Sequence, residues 1–125
     1  MHAKIIHPDE KDEFPTSEGC FILEVWNKEE DPTVSVARAR LTAEIKKTQP
    51  HYLSGISERY LIVSGNGVVH VEGLAPKPVS PGDMVVIPPG SMQWIENTDS
   101  CDLIFYCICT PRFTVEAYKD FSDEG

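Results

Sequence analysis

Apolar residues along this chain come in short runs, each closed by a turn signal. FILEVWN (21–27) precedes the charged loop KEEDP, and VSVARARL (34–41) follows it. RYLIV (59–63) leads into SGNG, VVHVE (68–72) ends at Gly73, and MVVI (84–87) follows Pro81-Gly82-Asp83. MQWIE (92–96) follows a double-proline corner, and LIFYCICT (103–110) follows NTDSCD. The runs are rich in Val, Ile, Tyr and Phe and recur about every ten residues between Gly, Pro, Asn and Asp, which predicts an all-β sandwich or barrel. Asn66-Gly67 is a two-residue hairpin signal. Only TVEAYKDF (114–121) has a helical pattern, a short C-terminal helix with Tyr118 and Phe121 on one side.

A chain of 125 residues has room for one domain. The pattern divides it into a loose N-terminal arm (1–20), a β body (21–113) and a tail (114–125). Eleven Lys and Arg stand against 20 Asp and Glu. That acidic balance argues against nucleic acid or an anionic membrane surface as partner, because both need a basic field. The longest apolar run, 103–109, is strand length and well short of the roughly eighteen residues of a membrane span. MHAKIIHPDEKDEF has no apolar core segment and turns acidic at once, so it does not read as a signal peptide, and a cytoplasmic protein is expected. Cys20, Cys101, Cys107 and Cys109 form no CxxC pair and no framework spacing. They read as small apolar residues in a reducing compartment, with Cys107 and Cys109 on one face of a strand.

The corner at Pro88-Pro89-Gly90 is the stiffest feature of the sequence. Two prolines fix φ and remove two backbone donors, so no sheet continues through them. Gly82 and Gly90 supply the permissive φ that a sharp reversal needs. The corner therefore sets the register of the strand beginning at Met92, and with it which side chain points inward. Gly82, five residues, Pro88, one residue, Gly90, two residues, Gln93, three residues and Asn97 resembles the second motif of the cupin superfamily, with Gln93 where the family places His. His51, Leu53, Glu58 and Gly65 resemble its first motif, with Leu53 in place of the second His. The chain is thus identified as a small single-domain cupin with a degenerate metal motif, over roughly residues 21–113. The resemblance implies a double-stranded β-helix, the cupin jelly-roll barrel.

In that geometry His51, Glu58 and Gln93 face one cavity. The resemblance carries His51 and Glu58 over as metal ligands with Gln93 as an amide donor, and Leu53 contributes nothing. Mn, Fe, Ni or Zn would suit such donors, although a structural metal wants four of them. The same three residues read equally as a hydrogen-bonded polar cluster without an ion. A His51–Glu58 pair, the best catalytic candidate, would then act as a general base toward a bound small molecule. Tyr60 and Ile62 share the parity of Glu58 and either line the cavity or pack as wall. Arg38 and Arg40 share a strand face; they are solvent-facing, or Arg40 anchors a carboxylate or phosphate of the ligand. Cys107 or Cys109 is a stand-in soft ligand if it faces inward. Trp94 alternates away from Gln93, His70 reads as an exposed strand residue, and His2 and His7 lie in the arm. The expected function is binding of a small polar or anionic metabolite, with or without a divalent metal. The alternatives are a metal-dependent enzyme, either a sugar or sugar-phosphate isomerase or a dioxygenase, and a non-catalytic sensory or structural cupin. A homodimer is expected, with residues 21–27 either lent to a partner's sheet or closing their own.

Overall fold

The computed structural model describes residues 1–120. They form eleven strands: β1 (Phe14–Pro15), β2 (Phe21–Trp26), β3 (Ser35–Leu41), β4 (His51–Leu53), β5 (Ser57–Ser64), β6 (Gly67–Val71), β7 (Lys77–Val79), β8 (Met84–Ile87), β9 (Gln93–Asn97), β10 (Leu103–Thr110) and β11 (Tyr118–Asp120). One antiparallel sheet has the order β1-β2-β3-β10-β5-β8, the other β11-β4-β9-β6-β7. The all-β expectation holds, and the apolar runs at 84–87 and 103–110 are strands over their full length.

Strict alternation builds the core. Along β5, Glu58, Tyr60 and Ile62 are buried while their neighbours are not, and β6 and β9 repeat the pattern. Leu41, Ile87, Ile95, Leu103 and Phe105 are almost inaccessible and meet in one cluster between the sheets. Each such side chain contributes roughly 1.5–3 kcal/mol on burial. A second, smaller cluster gathers Leu53, Ile56, Cys109 and Ala117 at one end.

Three sequence expectations change. Asn66-Gly67 does not make a hairpin: β5 pairs with β10 and β8, whereas β6 pairs with β7 and β9 in the other sheet. The glycines there serve a close crossing. A Cβ on Gly65 (φ +86°) would stand 2.6 Å from the Asp102 carbonyl, and one on Gly67 would stand 2.5 Å from the Glu96 carbonyl. The tail makes one 3-10 turn at Val115–Ala117 and then pairs with β4 as β11, because it finds an open sheet edge there. Phe121, the expected partner of Tyr118, lies outside the described residues.

The arm is anchored rather than loose from Glu10 onward. A 3-10 turn at Glu10–Asp12 leads to β1, which pairs with β2. Arg38 donates to Glu10 at 2.6 and 2.7 Å and to Glu13 at 3.1 Å. Arg40 reaches Glu13 at 2.7 Å and Asp102 at 3.2 Å. With β1 on one side and β3 on the other, residues 21–27 close their own sheet.

Candidate functional site

The corner delivers Gln93 inward, as its stiffness predicts. Gly90 takes φ +78°, and its N–H donates to the Leu53 carbonyl at 2.9 Å, which clamps the turn onto β4. In the resulting register Gln93 lies directly opposite His51. Gln93 is 1% exposed, and its Oε1 accepts a short hydrogen bond from the Tyr60 hydroxyl. Asn97, the last residue of the motif, is structural. Its Nδ2 donates to the carbonyls of Leu41 (3.0 Å) and Cys101 (2.9 Å), and its Oδ1 accepts from the Asp99 N–H (2.8 Å).

His51 is held on three sides. Nδ1 lies 2.7 Å from the Gln49 carbonyl, which can only accept, so Nδ1 carries a proton. Nε2 faces the Glu18 carboxylate at 3.3 Å, a contact that becomes an ion pair when the imidazole is charged. The Tyr118 ring stacks on the imidazole at 5.1 Å. Glu18 is the residue that sequence reasoning missed. It sits in the turn between β1 and β2, where its carbonyl accepts from the Gln49 N–H at 2.7 Å. Gly19 (φ +118°) marks that turn, but no periodicity in the arm says which way Glu18 points.

Glu58 is 7% exposed. Its Oε2 lies 3.7 Å from the Cys109 thiol, Oε1 makes no well-formed hydrogen bond, and the Gln93 amide is a neighbour that favours the charged form. Burial pushes its carboxyl up to about 7; His51 opposes the shift and Glu18 adds to it. Burial likewise raises the Cys107 and Cys109 thiols, so neither is a ready thiolate.

A cavity of about 120 Å³ opens against these groups, and Glu18, Glu24, Glu58, Phe14, Phe113, Cys107 and Cys109 are part of its wall. Of the expected trio only Glu58 reaches that wall; His51 and Gln93 stand behind it. Tyr60 is buried at the tilted Phe105 ring, and Ile62 belongs to the core. Arg40 does not join them. It alternates with Ala39 and Leu41, both wholly buried, and so lies on the outer face among carboxylates and over the Phe21 ring. His70 and Trp94 stack on each other at 3.5 Å, with Glu96 3.7 Å from His70.

A family model described as cupin matches residues 11–120. The chain belongs to the cupin family. No curated protein matches it. Among solved structures, this cupin is similar to a variant of Streptomyces PAC13 with uridine, at 17% identity and TM-score 0.75, covering 93% of this chain and 90% of the other. PAC13 is described as a unique nucleoside dehydratase. KdgF from Halomonas sp. is 20% identical with TM-score 0.74, covering 88% of this chain and 96% of that one. A predicted oxalate decarboxylase from Thermotoga maritima is 25% identical with TM-score 0.68, covering 85% and 93%.

Cupins often bind metals, so the donor set here is a direct test. It does not suit a divalent ion. Among the described residues no three His, Cys, Asp or Glu side chains converge in a way that could hold one. Gln93 spends its oxygen on Tyr60, the His51 Nε2 is turned to Glu18, and Leu53 packs into the second apolar cluster. No helix among the described residues is long and apolar enough to cross a membrane.

Proposed function

We propose that this cupin binds a small hydroxylated molecule in the cavity and moves protons on it with its own carboxyl groups. One observation carries the reading: a buried carboxyl at the cavity wall, Glu58, with an oxygen left without a well-formed hydrogen bond. A buried polar atom left without a partner is costly, and a bound molecule supplies the missing one. A carboxyl held near neutrality both gives and takes a proton at working pH.

Glu18 supplies the second group. It shares the cavity wall with Glu58, but its carboxylate is backed by the His51 imidazole rather than by apolar surface. Two carboxyl groups in unlike surroundings divide acid and base roles between them. For loss of water, Glu58 protonates the departing hydroxyl, which leaves as water, and Glu18 takes the proton from the neighbouring carbon. His51 acts through Glu18 and is a positioning residue. The dehydratase activity named for PAC13 is of this class. The cavity is close in size to one of about 150 Å³ that holds benzene, so the reacting part of the ligand has roughly six heavy atoms.

The test is a set of small polyols and hydroxy acids incubated with the protein in deuterated water and followed by NMR. Deuterium entering a C–H position, or loss of water, is expected for wild type and absent for a folded Glu58→Gln variant. Turnover that survives in that variant overturns the reading.

A further inference from the structure

We infer that the group this cavity selects is a small organic cation, an ammonium bearing one or more carbon substituents, rather than an anionic or neutral group. Two carboxylates, Glu18 and Glu24, share the wall with the Glu58 carboxyl, and no Lys, Arg or His side chain lines it among the described residues. A cavity walled by one sign of charge concentrates the opposite sign and expels its own. Two aromatic rings, Phe14 and Phe113, also line it, and ring faces attract cations.

The wall is already built. β1 pairing sets Phe14 opposite Ile22, and the Phe113 N–H is tied to Ser35 Oγ at 2.9 Å. The turn carrying Glu18 is fastened to Gln49 and its carboxylate to His51. Of the arginines next in sequence to lining residues, Arg38 is held by Glu10 and Glu13, Arg59 donates to Thr110 at 2.7 Å, and Arg112 donates to Asn27 at the cavity edge at 2.9 Å. The unsatisfied oxygen of Glu58 needs a donor, and an ammonium N–H is a donor that also answers the field of Glu18 and Glu24. A neutral hydroxyl would satisfy Glu58 alone. An anion, one of the ligands expected from the sequence, would be repelled by Glu18 and Glu24. An amino alcohol combines this group with the hydroxyl of the proposed reaction.

The inference deepens the proton-transfer reading by naming the charge of its substrate, and the two fail separately. The full chain is titrated by NMR or calorimetry with tert-butylammonium, with tert-butanol of the same size, and with acetate. The cation is expected to bind at least about tenfold tighter than the alcohol, and acetate not at all. Glu24→Gln, at the exposed mouth, should weaken the cation about three- to tenfold and leave the alcohol unchanged. Alcohol or acetate binding as tightly as the cation overturns the inference, as does cation binding indifferent to Glu24→Gln. If hydroxylated substrates turn over through Glu58 without a charge preference, only the cation falls. If the cation preference stands but Glu58→Gln retains turnover, only the proton-transfer reading falls.

Discussion

A buried carboxyl that keeps its proton should be visible in the stability of the whole fold. An ordinary glutamate releases its proton near 4.5, whereas Glu58 in the folded chain holds it up to about 7. Between those values the folded state carries one more proton than the unfolded chain. Stability therefore falls as pH rises, with the loss beginning near 4.5 and complete somewhat above 7. Each tenfold change in proton affinity is worth about 1.4 kcal/mol, which makes the full loss about 3 kcal/mol. Solvent screens the group little, because Glu58 is only 7% exposed. Glu58→Gln is nearly isosteric and never ionises, so it lacks this term. Urea unfolding of wild type and variant at several pH values from about 4.5 to about 8 isolates it, since other titrating groups cancel in the difference. Relative to the variant, wild type should lose about 3 kcal/mol across that interval, nearly all of it below about pH 7.5. A difference that stays constant with pH, or a Glu58 carboxyl that titrates near 4.5 by NMR, would refute the account.

Three further outcomes test parts of the fold that support the site. Asn97→Ala removes three hydrogen bonds at a residue 2% exposed, strands two carbonyls, and should cost about 2–4 kcal/mol in chemical denaturation. Gly65→Ala must place a Cβ 2.6 Å from the Asp102 carbonyl at positive φ; a loss of about 2–4 kcal/mol or failure to fold is expected, and a neutral result would mean that the backbone at Gly65 does not pass against Asp102. Glu13→Gln weakens the fork to Arg38 and Arg40, whose guanidinium groups hold the Glu13 carboxyl below its ordinary range. Global stability should drop by no more than about 1 kcal/mol, yet limited proteolysis should cut residues 14–20 faster, because that fork fastens the segment bearing Glu18.

The strands were legible because period-two alternation over Val, Ile and Phe leaves few alternatives, and the Gly/Pro spacing of the corner is enough by itself to set the inward face of β9. What escaped was set by tertiary pairing. β4 and β11 are three residues each, too short for a period to register; β11 is placed by pairing with β4, and β4 lies between β11 and β9. Asn66-Gly67 carried a local hairpin signal, but the same glycines also allow backbone to pass against backbone, and packing on Asp102 and Glu96 decided between the two. Glu18 was illegible for a different reason. Within the arm only the Cys20 thiol touches its carboxylate; the rest of its placement comes from Gln49 and His51, both more than thirty positions downstream by the numbering.

Motif spacing and motif chemistry separate cleanly in this chain. Gly82, Pro88, Gly90 and Asn97 govern where the backbone turns and where β9 is tied, and those constraints hold whatever side chain stands at position 93. Gln93 keeps the buried slot with a neutral acceptor satisfied by Tyr60, and Leu53 turns a second polar slot into apolar wall beside Cys109. Cys109 in turn touches Glu58. Burial is what raises the Glu58 carboxyl; the Gln93 amide and the Cys109 thiol both favour its charged form and only partly offset that burial. A neutral amide at 93 and an apolar side chain at 53 leave a buried carboxyl, Glu58, whose desolvation outweighs the groups that favour its charged form. A polar slot kept in place by stiff backbone is free to change its chemistry, because the backbone constraints do not depend on the side chain at position 93.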